Sequence, residues 1–264
     1  MKLGCSTILY GSHDLKLAIE KIASFGYKAV ELCALGQAPH LTIGAEASYY
    51  KDVKAMIEDN GLAIESIGAS GSLRQGRDHV LRVLDAAAAV GAPAIASGPG
   101  GESDNEESFK EVVENINDLA TEGAKRGVKL SFKPHVKNAV YSTESAYRFM
   151  QEVDRDWVGL NYDPTHIWRT PEQEVPEETI GKILDYIFTA RIRDVKGREQ
   201  AIGPVENQVA GNGDLNLQGL ADQFQKVPGL EYAVVEIVGT KNMSVEEIDS
   251  VVERSFSGLN PLFN

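Results

Sequence analysis

The sequence lacks any apolar run long enough to cross a membrane, and it is poor in basic residues and in cysteine. Its 26 Lys and Arg residues face 39 Asp and Glu residues, which gives a net charge of -13. Such a surface repels phosphate backbones and anionic lipid headgroups, so we expect neither nucleic acid nor a membrane as a partner. The chain opens without a signal-like apolar region, and we therefore expect a cytoplasmic protein.

The two cysteines, Cys5 and Cys33, are too few for a disulfide framework. Each lies in or just after a predicted strand, where a small buried thiol is the usual role of cysteine. The chain has 264 residues, of which 42% are hydrophobic, and this is enough for one large core. Many chains of this length form two domains, but α/β barrels reach it as a single domain.

One pattern recurs along the chain: an amphipathic helical stretch, a glycine, one to three further residues, and a short apolar strand. Glycine suits the left-handed conformation that ends many helices, so each instance predicts a helix-to-strand turn. The spacing of these turns, roughly 30 to 36 residues, fits successive βα units. The five glycines are Gly26, Gly61, Gly91, Gly127 and Gly229, and three further apolar stretches complete a set of eight strands.

The predicted strands cover residues 3–7, 29–32, 63–67, 94–96, 128–132, 158–162, 187–192 and 232–237. The predicted helices cover residues 14–25, 47–59, 77–90, 108–126, 142–153, 177–184, 217–225 and 245–256. Ser108 with Glu111, and Ser244 with Glu247, have the spacing of capping boxes that start helices. Eight uninterrupted alternations predict an α/β fold, a closed (β/α)8 TIM barrel that forms one domain over residues 1–264. An open doubly wound sheet is the alternative.

Polar residues of both signs follow the later strands, at the carboxyl face where parallel α/β folds place their chemistry. The longest connections also follow strands, namely strands two, four, six and seven, and long ordered loops are usually functional. Asp163 ends the sixth strand, because Pro164 prevents that strand from continuing. The other strand-end residues are Lys133, His135, His166, Arg191, Arg193, Asp194 and Glu236.

Five stretches carry a recognisable pattern: residues 127–135, 159–166, 191–196, 211–216 and 234–236. Together they resemble the xylose-isomerase-like TIM barrels, a superfamily of sugar and sugar-phosphate isomerases, ketose 3-epimerases, inosose dehydratase and endonuclease IV. The resemblance covers essentially the whole chain. It is specific to the superfamily and a poor guide to the particular reaction.

The resemblance also implies a metal site from which this sequence departs. In the metal-dependent epimerases of this family, a Glu, an Asp, a His and a second Glu hold one divalent ion, and the two glutamates move the proton. The Asp matches Asp163 and the second Glu matches Glu236, but Lys133 replaces the first Glu and Arg191 replaces the His. Neither an arginine nor a protonated lysine can ligate a metal. We therefore expect no metal or other cofactor, and a salt-bridged cluster in which Asp163 is the counter-ion of Arg191 or Lys133.

If this alignment is out of register, Asp163 and Glu236 would hold a divalent ion such as Mn or Mg, with His135 and His166 as alternative ligands. For the metal-free site we expect catalysis from Glu236, Lys133 and Asp163. The expected substrate contacts are His166, His135, Arg191, Arg198 and Trp168.

Several of these residues have a second interpretation. His166 either matches a family histidine that contacts substrate or is an ordinary loop histidine. Arg198 lies near a family arginine that binds hydroxyls or phosphate, but one residue out of register. Trp168 either stacks on a sugar or anchors its loop, and His135 either contacts substrate or supports a residue that does. Glu31 is expected to be a structural acceptor. The turn at residues 211–214 either wraps a phosphate with its amides or is an ordinary turn before a helix.

The sequence thus predicts an isomerase, epimerase or dehydratase that acts on a small keto-sugar, polyol or sugar phosphate by acid/base chemistry, without the usual metal. A Schiff base at Lys133 is a further route. The alternatives are a non-catalytic carbohydrate-binding or regulatory barrel, and a metal-dependent isomerase or dehydratase. Five histidines and a net charge of -13 argue against endonuclease chemistry. The expected partner is a small sugar or polyol, and a homodimer is compatible with the sequence.

Overall fold

Eight parallel strands close into a barrel in the computed structural model, which describes residues 1–263. Each strand pairs with the next along the chain, and the first pairs with both the second and the last. Gly4, for example, lies opposite Ala29 on one side and Val234 on the other. The predicted closed barrel is confirmed, and the open-sheet alternative is wrong. The strands are β1 (Lys2–Ser6), β2 (Ala29–Leu35), β3 (Ala63–Gly68), β4 (Ala94–Ser97), β5 (Lys129–Phe132), β6 (Val158–Tyr162), β7 (Ile187–Ile192) and β8 (Tyr232–Val235).

Helices surround the barrel, because each connection between parallel strands must cross back over the sheet. Gly91 and Gly127 end two of these helices in the left-handed conformation, with φ of 80° and 67°, as the repeating pattern predicts. The α-helices are α1 (Leu15–Ser24), α2 (Ala47–Asp59), α3 (Arg77–Val90), α4 (Glu106–Arg126), α5 (Thr143–Glu152), α6 (Pro164–Trp168), α7 (Pro176–Thr179), α8 (Leu217–Phe224) and α9 (Val245–Leu259). Short 3₁₀ turns cover Thr7–Tyr10, Ser72–Gln75, Ile180–Lys182, Leu184–Tyr186, Val205–Gln208, Thr240–Asn242 and Asn260–Leu262, and a two-residue strand, Ala38–Pro39, pairs antiparallel with β2.

Two predicted helix features are wrong. The helix predicted at residues 177–184 is broken into α7 and two 3₁₀ turns, since Gly181 lies in its middle and has a low helix propensity. The capping box predicted at Ser108 is also absent. Helix α4 begins two residues earlier, and the side chain of Asn105 accepts the amide of Ser108 at 3.1 Å. The capping box of Ser244 and Glu247 is confirmed.

The core fills the space between the barrel and its helices, and one large cluster of buried apolar side chains runs through it. Cys5 and Cys33 are both buried in this core with free thiols, as predicted. Among residues 1–263, no helix combines the length and the apolar character that a membrane crossing requires.

Candidate active site

A cavity of about 610 Å³ opens at the carboxyl end of the barrel. Its walls come from the segments that follow β3, β4, β5, β6, β7 and β8, so it lies where the strand-end residues predict it. Its volume is within the range of small-molecule sites. The side chains at its base and sides include Lys133, His135, His166, Arg169, Arg193 and Glu236. We call this space the mouth cavity.

Four charged side chains form a salt-bridged cluster beside the mouth cavity. Lys133 Nζ donates to Glu236 Oε2 at 2.7 Å and to Asp163 Oδ2 at 3.3 Å. Arg193 donates to the same oxygen of Asp163 at 2.9 Å. We call Lys133, Asp163, Arg193 and Glu236 the mouth cluster. Lys133 is therefore a counter-ion of Asp163, which is one of the two possibilities that the sequence left open. The arginine beside Asp163 is Arg193 and not Arg191.

Asp163 does not line the mouth cavity, and its carboxylate is held in place by neighbouring residues. It is 1% exposed and caps α6, and its Oδ1 accepts the amide of Thr165 at 3.0 Å and the hydroxyl of Thr165 at 2.7 Å. Burial alone would raise the pKa of this carboxyl, but Arg193 and Lys133 hold the pKa well below its usual range. Asp163 thus orients the two cations of the mouth cluster.

Arg191 lies deeper in the barrel than the sequence predicts, and it does not line the mouth cavity. Its side chain is fully buried and donates to Glu31 at 2.5 Å and to Glu65 at 3.1 Å, while its Nε lies 3.4 Å from Glu236. Burial would lower the pKa of the guanidinium, but Glu31 and Glu65 raise it above its usual value. We call Arg191, Glu31 and Glu65 the barrel network. Carboxylates of this chain thus enclose Arg191, away from the mouth cavity where the expected substrate contact would be.

Glu31 has the structural role that the sequence predicts. Besides Arg191, it accepts a hydrogen bond from the Ser6 hydroxyl at 2.5 Å. Glu65 is not among the residues that the sequence singles out. Burial raises the pKa of the Glu65 carboxyl although Arg191 and the hydroxyl of Ser66 lower it. The barrel network therefore holds two carboxylates around one cation, and Glu236 links it to the mouth cluster.

His135 and His166 stack against each other at the cavity, with ring centroids 4.1 Å apart. Nδ1 of His135 lies 2.8 Å from the carbonyl of Val136, which can only accept, so Nε2 of His135 carries the lone pair. Nδ1 of His166 lies 3.2 Å from Arg169, which can only donate, so Nε2 of His166 carries the proton. Burial lowers the pKa of both imidazoles. The cavity thus has one neutral imidazole acceptor and one neutral imidazole donor.

Trp168 and Arg198 do not line the mouth cavity. The Arg198 guanidinium stacks on the Trp168 ring at 3.5 Å and donates to the carbonyls of Trp168 and Glu174. The Trp168 indole donates to the carbonyl of Gly197 at 2.9 Å. These contacts join the loop after β6 to the loop after β7. Of the two interpretations of Trp168, the structure supports the loop anchor, and it places Arg198 in the same role.

The turn at residues 211–214 wraps a carboxylate of this chain instead of a phosphate. Asp194 accepts the amide of Gly211 at 3.0 Å and the amide of Leu215 at 3.2 Å. At Gly213 an added Cβ would lie 2.2 Å from Asp194, so only glycine allows this close approach. The turn fixes the long loop after β7.

Two cavity residues have no role in the sequence-based site, although each has a signal in the sequence. Arg193 is one of the strand-end residues and lies just past β7, two residues after Arg191, a spacing that puts side chains on the same face of a strand. Arg169 lies three residues after His166, a spacing that brings side chains together on a helix. A second cavity of about 1030 Å³ lies between α4, α5 and residues 172–182, but none of the strand-end residues lines it.

The donor set at the mouth cluster does not fit the divalent ion that the resemblance implies. Asp163 and Glu236 are the carboxylates at the matched positions, and the ammonium of Lys133 lies between them. Arg193 and Arg191 add two more cations within 3.4 Å of these carboxylates. Within residues 1–263, no three His, Cys, Asp or Glu side chains come together in a way that could hold a metal.

Comparison with known proteins gives matches over most of the chain. A family model described as xylose isomerase-like TIM barrel matches residues 19–253. Two inosose dehydratases of Clostridium perfringens strains are 25% identical over 95 residues and 26% identical over 92 residues. These matches cover 36% and 35% of this chain, and they span only 31% and 30% of the dehydratases' own lengths.

Several solved structures share the fold. The IOLI protein with a binding zinc atom superposes with a TM-score of 0.79 at 18% identity, over 100% of both chains. D-psicose 3-epimerase of Clostridium cellulolyticum H10, solved with D-tagatose, gives 0.79 at 15% identity over 100% of both chains. The probable 3-DHS dehydratase AsbF of Bacillus anthracis gives 0.78 at 15% identity, over 97% of this chain and 98% of that one. At these identities the likeness shows the fold.

Proposed function

The chain belongs to the xylose isomerase-like TIM barrel family, and on this basis we propose that it is an isomerase, epimerase or dehydratase of a small keto-sugar or polyol. The matched relatives include dehydratases, and a structural neighbour is a ketose 3-epimerase solved with a sugar. These reactions share one step, the movement of a proton at the carbon next to a carbonyl. The proposal is that the mouth cavity performs this step.

The observation that supports the proposal is the place of Lys133 at the mouth cavity. Its ammonium is held by Glu236 and Asp163, and a lysine ammonium has three donors, so one donor is left for a ligand. A cation fixed beside a substrate carbonyl stabilises the negative charge that develops when the neighbouring carbon loses a proton. Lys133 would supply this stabilisation. Salt bridges to two carboxylates also hold Lys133 Nζ, the atom that a Schiff base at Lys133 would require to be free.

Two groups at the cavity are suited to move the proton. His135 presents the lone pair of Nε2, and burial lowers the pKa of its imidazole, so the ring is neutral and can accept a proton at neutral pH. Lys133 and Arg193 outweigh burial and lower the pKa of the Glu236 carboxyl, so Glu236 is ionised and is a second acceptor. Asp163 would act by positioning Lys133 and Arg193. We propose that this chemistry runs without a bound metal, because cations of the chain already neutralise both carboxylates.

A deuterium-exchange experiment tests the proposal whichever product is formed. Protein treated with a chelator is incubated in D₂O with D-fructose, D-tagatose, D-psicose and an inosose, and NMR follows exchange at the carbon next to the carbonyl. We expect exchange with at least one substrate, and a loss of at least about 100-fold in Lys133→Met and Glu236→Gln. Lys196→Met removes an exposed lysine outside the cavity and serves as the control.

Three results would count against the proposal. Saturable binding without exchange on the whole panel would favour the non-catalytic carbohydrate-binding barrel. Stoichiometric Mn, Mg, Co or Zn in the purified protein, with exchange lost on its removal, would contradict the metal-free chemistry. Exchange that is unchanged in a folded Lys133→Met variant would contradict the role of Lys133, with circular dichroism as the check of folding.

A further inference from the structure

The mouth cavity has the opposite charge to the protein as a whole. The chain carries a net charge of -13, yet five cationic side chains and a single carboxylate line this cavity. The cations are Arg74, Lys133, Lys137, Arg169 and Arg193, and the carboxylate is Glu236. A local field of this sign attracts anions to the cavity although the remaining surface repels them.

Part of this positive charge is balanced within the chain. Lys133 and Arg193 pair with Asp163 and Glu236 in the mouth cluster. Arg74, Lys137 and Arg169 have no carboxylate within 4.0 Å among residues 1–263. Arg74 and Lys137 are exposed at the rim, where water can solvate them. Arg169 is buried, so water does not solvate its charge in this way.

Arg169 is 3% exposed, and its hydrogen bonds go to neutral acceptors. It donates to the carbonyl of Thr165 at 2.7 Å, to the carbonyl of Gln200 and to Nδ1 of His166 at 3.2 Å. A guanidinium has five N–H donors, so two remain for another partner. Burial lowers its pKa to about 10, and it is therefore still charged at neutral pH. Asp163 attracts this charge only from beyond 4.0 Å, and it already pairs with Lys133 and Arg193. A buried charge without a counter-ion in direct contact is unfavourable, and an anion in the cavity would reduce this cost.

We propose that the substrate carries an anionic group, a carboxylate or a phosphate, which binds Arg169 with the support of Arg74 and Lys137. The proposal deepens the proposed function and rests on it, since it names the class of sugar that the same cavity takes. Arg169 bonds to His166, and His166 stacks on His135, so the anionic group lies next to the two imidazoles. The reacting carbon would lie beside Lys133. An acidic or phosphorylated keto-sugar has both groups on one short molecule.

Equilibrium binding tests this inference separately from catalysis. Calorimetric titration of the whole chain compares D-fructose, D-fructose 6-phosphate and 5-keto-D-gluconate at low and high salt, with inorganic phosphate as a competitor. We expect at least one of the two anionic sugars to bind about tenfold or more tightly than D-fructose, with the difference reduced by salt. The tighter of the two anionic sugars identifies the group as phosphate or carboxylate.

Variants of the cavity arginines assign the effect to its residues. Arg169→Gln should weaken binding of the anionic sugar at least about tenfold and leave the affinity for D-fructose nearly unchanged. Arg74→Gln changes an exposed residue and should not affect folding. It should weaken binding of the anionic sugar about threefold. Arg77→Gln, three residues away and outside the mouth cavity, is the matched control and should change neither affinity.

Two results would overturn the inference. One is D-fructose binding as tightly as both anionic sugars at low salt. The other is an equal loss for neutral and anionic sugars in Arg169→Gln and Arg74→Gln. Because no turnover is required, the anion preference can fail while deuterium exchange is retained, and it can hold while exchange is absent.

Discussion

Replacement of Arg191 by methionine should be strongly destabilising, because this residue is the cation of the barrel network. Three carboxylates lie within 3.4 Å of its guanidinium, and the side chain is fully buried. Removal of one partner from a buried ion pair typically costs about 3–5 kcal/mol, since the other partner stays behind as an uncompensated charge. For a protein of this size, that loss lowers the melting temperature by about 5–10 °C.

The loss of stability in Arg191→Met should be larger at high pH than at low pH. Burial already raises the pKa of Glu65, and loss of Arg191 removes the attraction that opposes this rise. A carboxyl whose pKa is higher in the folded than in the unfolded state contributes stability below the unfolded pKa, and it loses that contribution as pH rises through the folded pKa. The free energy of unfolding of the variant should therefore lie closest to that of the wild type near pH 5 and furthest below it at pH 8. Each tenfold change in the acidity constant of the Glu65 carboxyl contributes about 1.4 kcal/mol.

Urea denaturation at pH 5 and pH 8 measures both effects. Arg254→Met is the matched control, because Arg254 also pairs with a carboxylate but is exposed at 43%, where the loss should be under about 1 kcal/mol. A variant at Arg191 that is as stable as the control at pH 8 would refute the network argument. An equal deficit at both pH values would refute the part assigned to Glu65.

Three further substitutions test other parts of the structure. Asp163→Asn should lower the free energy of unfolding by about 3–5 kcal/mol at pH 7. Because the folded pKa of Asp163 is depressed, its contribution is present above the unfolded pKa of about 3.9 and is lost as pH falls, so urea curves at pH 3 should show a smaller deficit. Gly159→Ala should cost about 1–3 kcal/mol, since the added Cβ would lie 2.3 Å from the Phe188 ring; an unchanged melting temperature would contradict this packing. Ser244→Ala should cost about 1 kcal/mol and speed amide exchange in the first turn of α9, whereas unchanged exchange there would argue against the capping box with Glu247.

The sequence predicts most of the fold because its local signals agree with the barrel. Glycines such as Gly91 and Gly127 end helices where the pattern expects them, and the eight strands fall at the predicted places. The predictions fail where two local signals compete. Ser108 has a glutamate at the correct spacing for a capping box, but Asn105, three residues earlier, is the N-cap of the helix. The segment from 177 to 184 reads as one helix only if Gly181 is ignored.

The sequence predicts where the candidate site lies and some of the residues that form it. Lys133, Asp163 and Glu236 come together as expected, because the carboxyl ends of parallel strands meet at one mouth. Depth along the barrel axis is not predictable from strand ends alone, and for this reason the sequence places Arg191 at the mouth although it lies deeper in the barrel. Glu65 comes from a strand far away in sequence, and only closure of the barrel brings it to Arg191.

The barrel network also bears on how the barrel assembles. Arg191 comes from β7, while Glu31 and Glu65 come from β2 and β3, separations of 160 and 126 residues. Half of the barrel folded alone would bury carboxylates without their cation, or the cation without its carboxylates. Partly closed intermediates therefore carry a charge penalty that only the complete ring removes. The barrel is expected to form as one cooperative unit, so half-barrel fragments should gain structure when they are mixed.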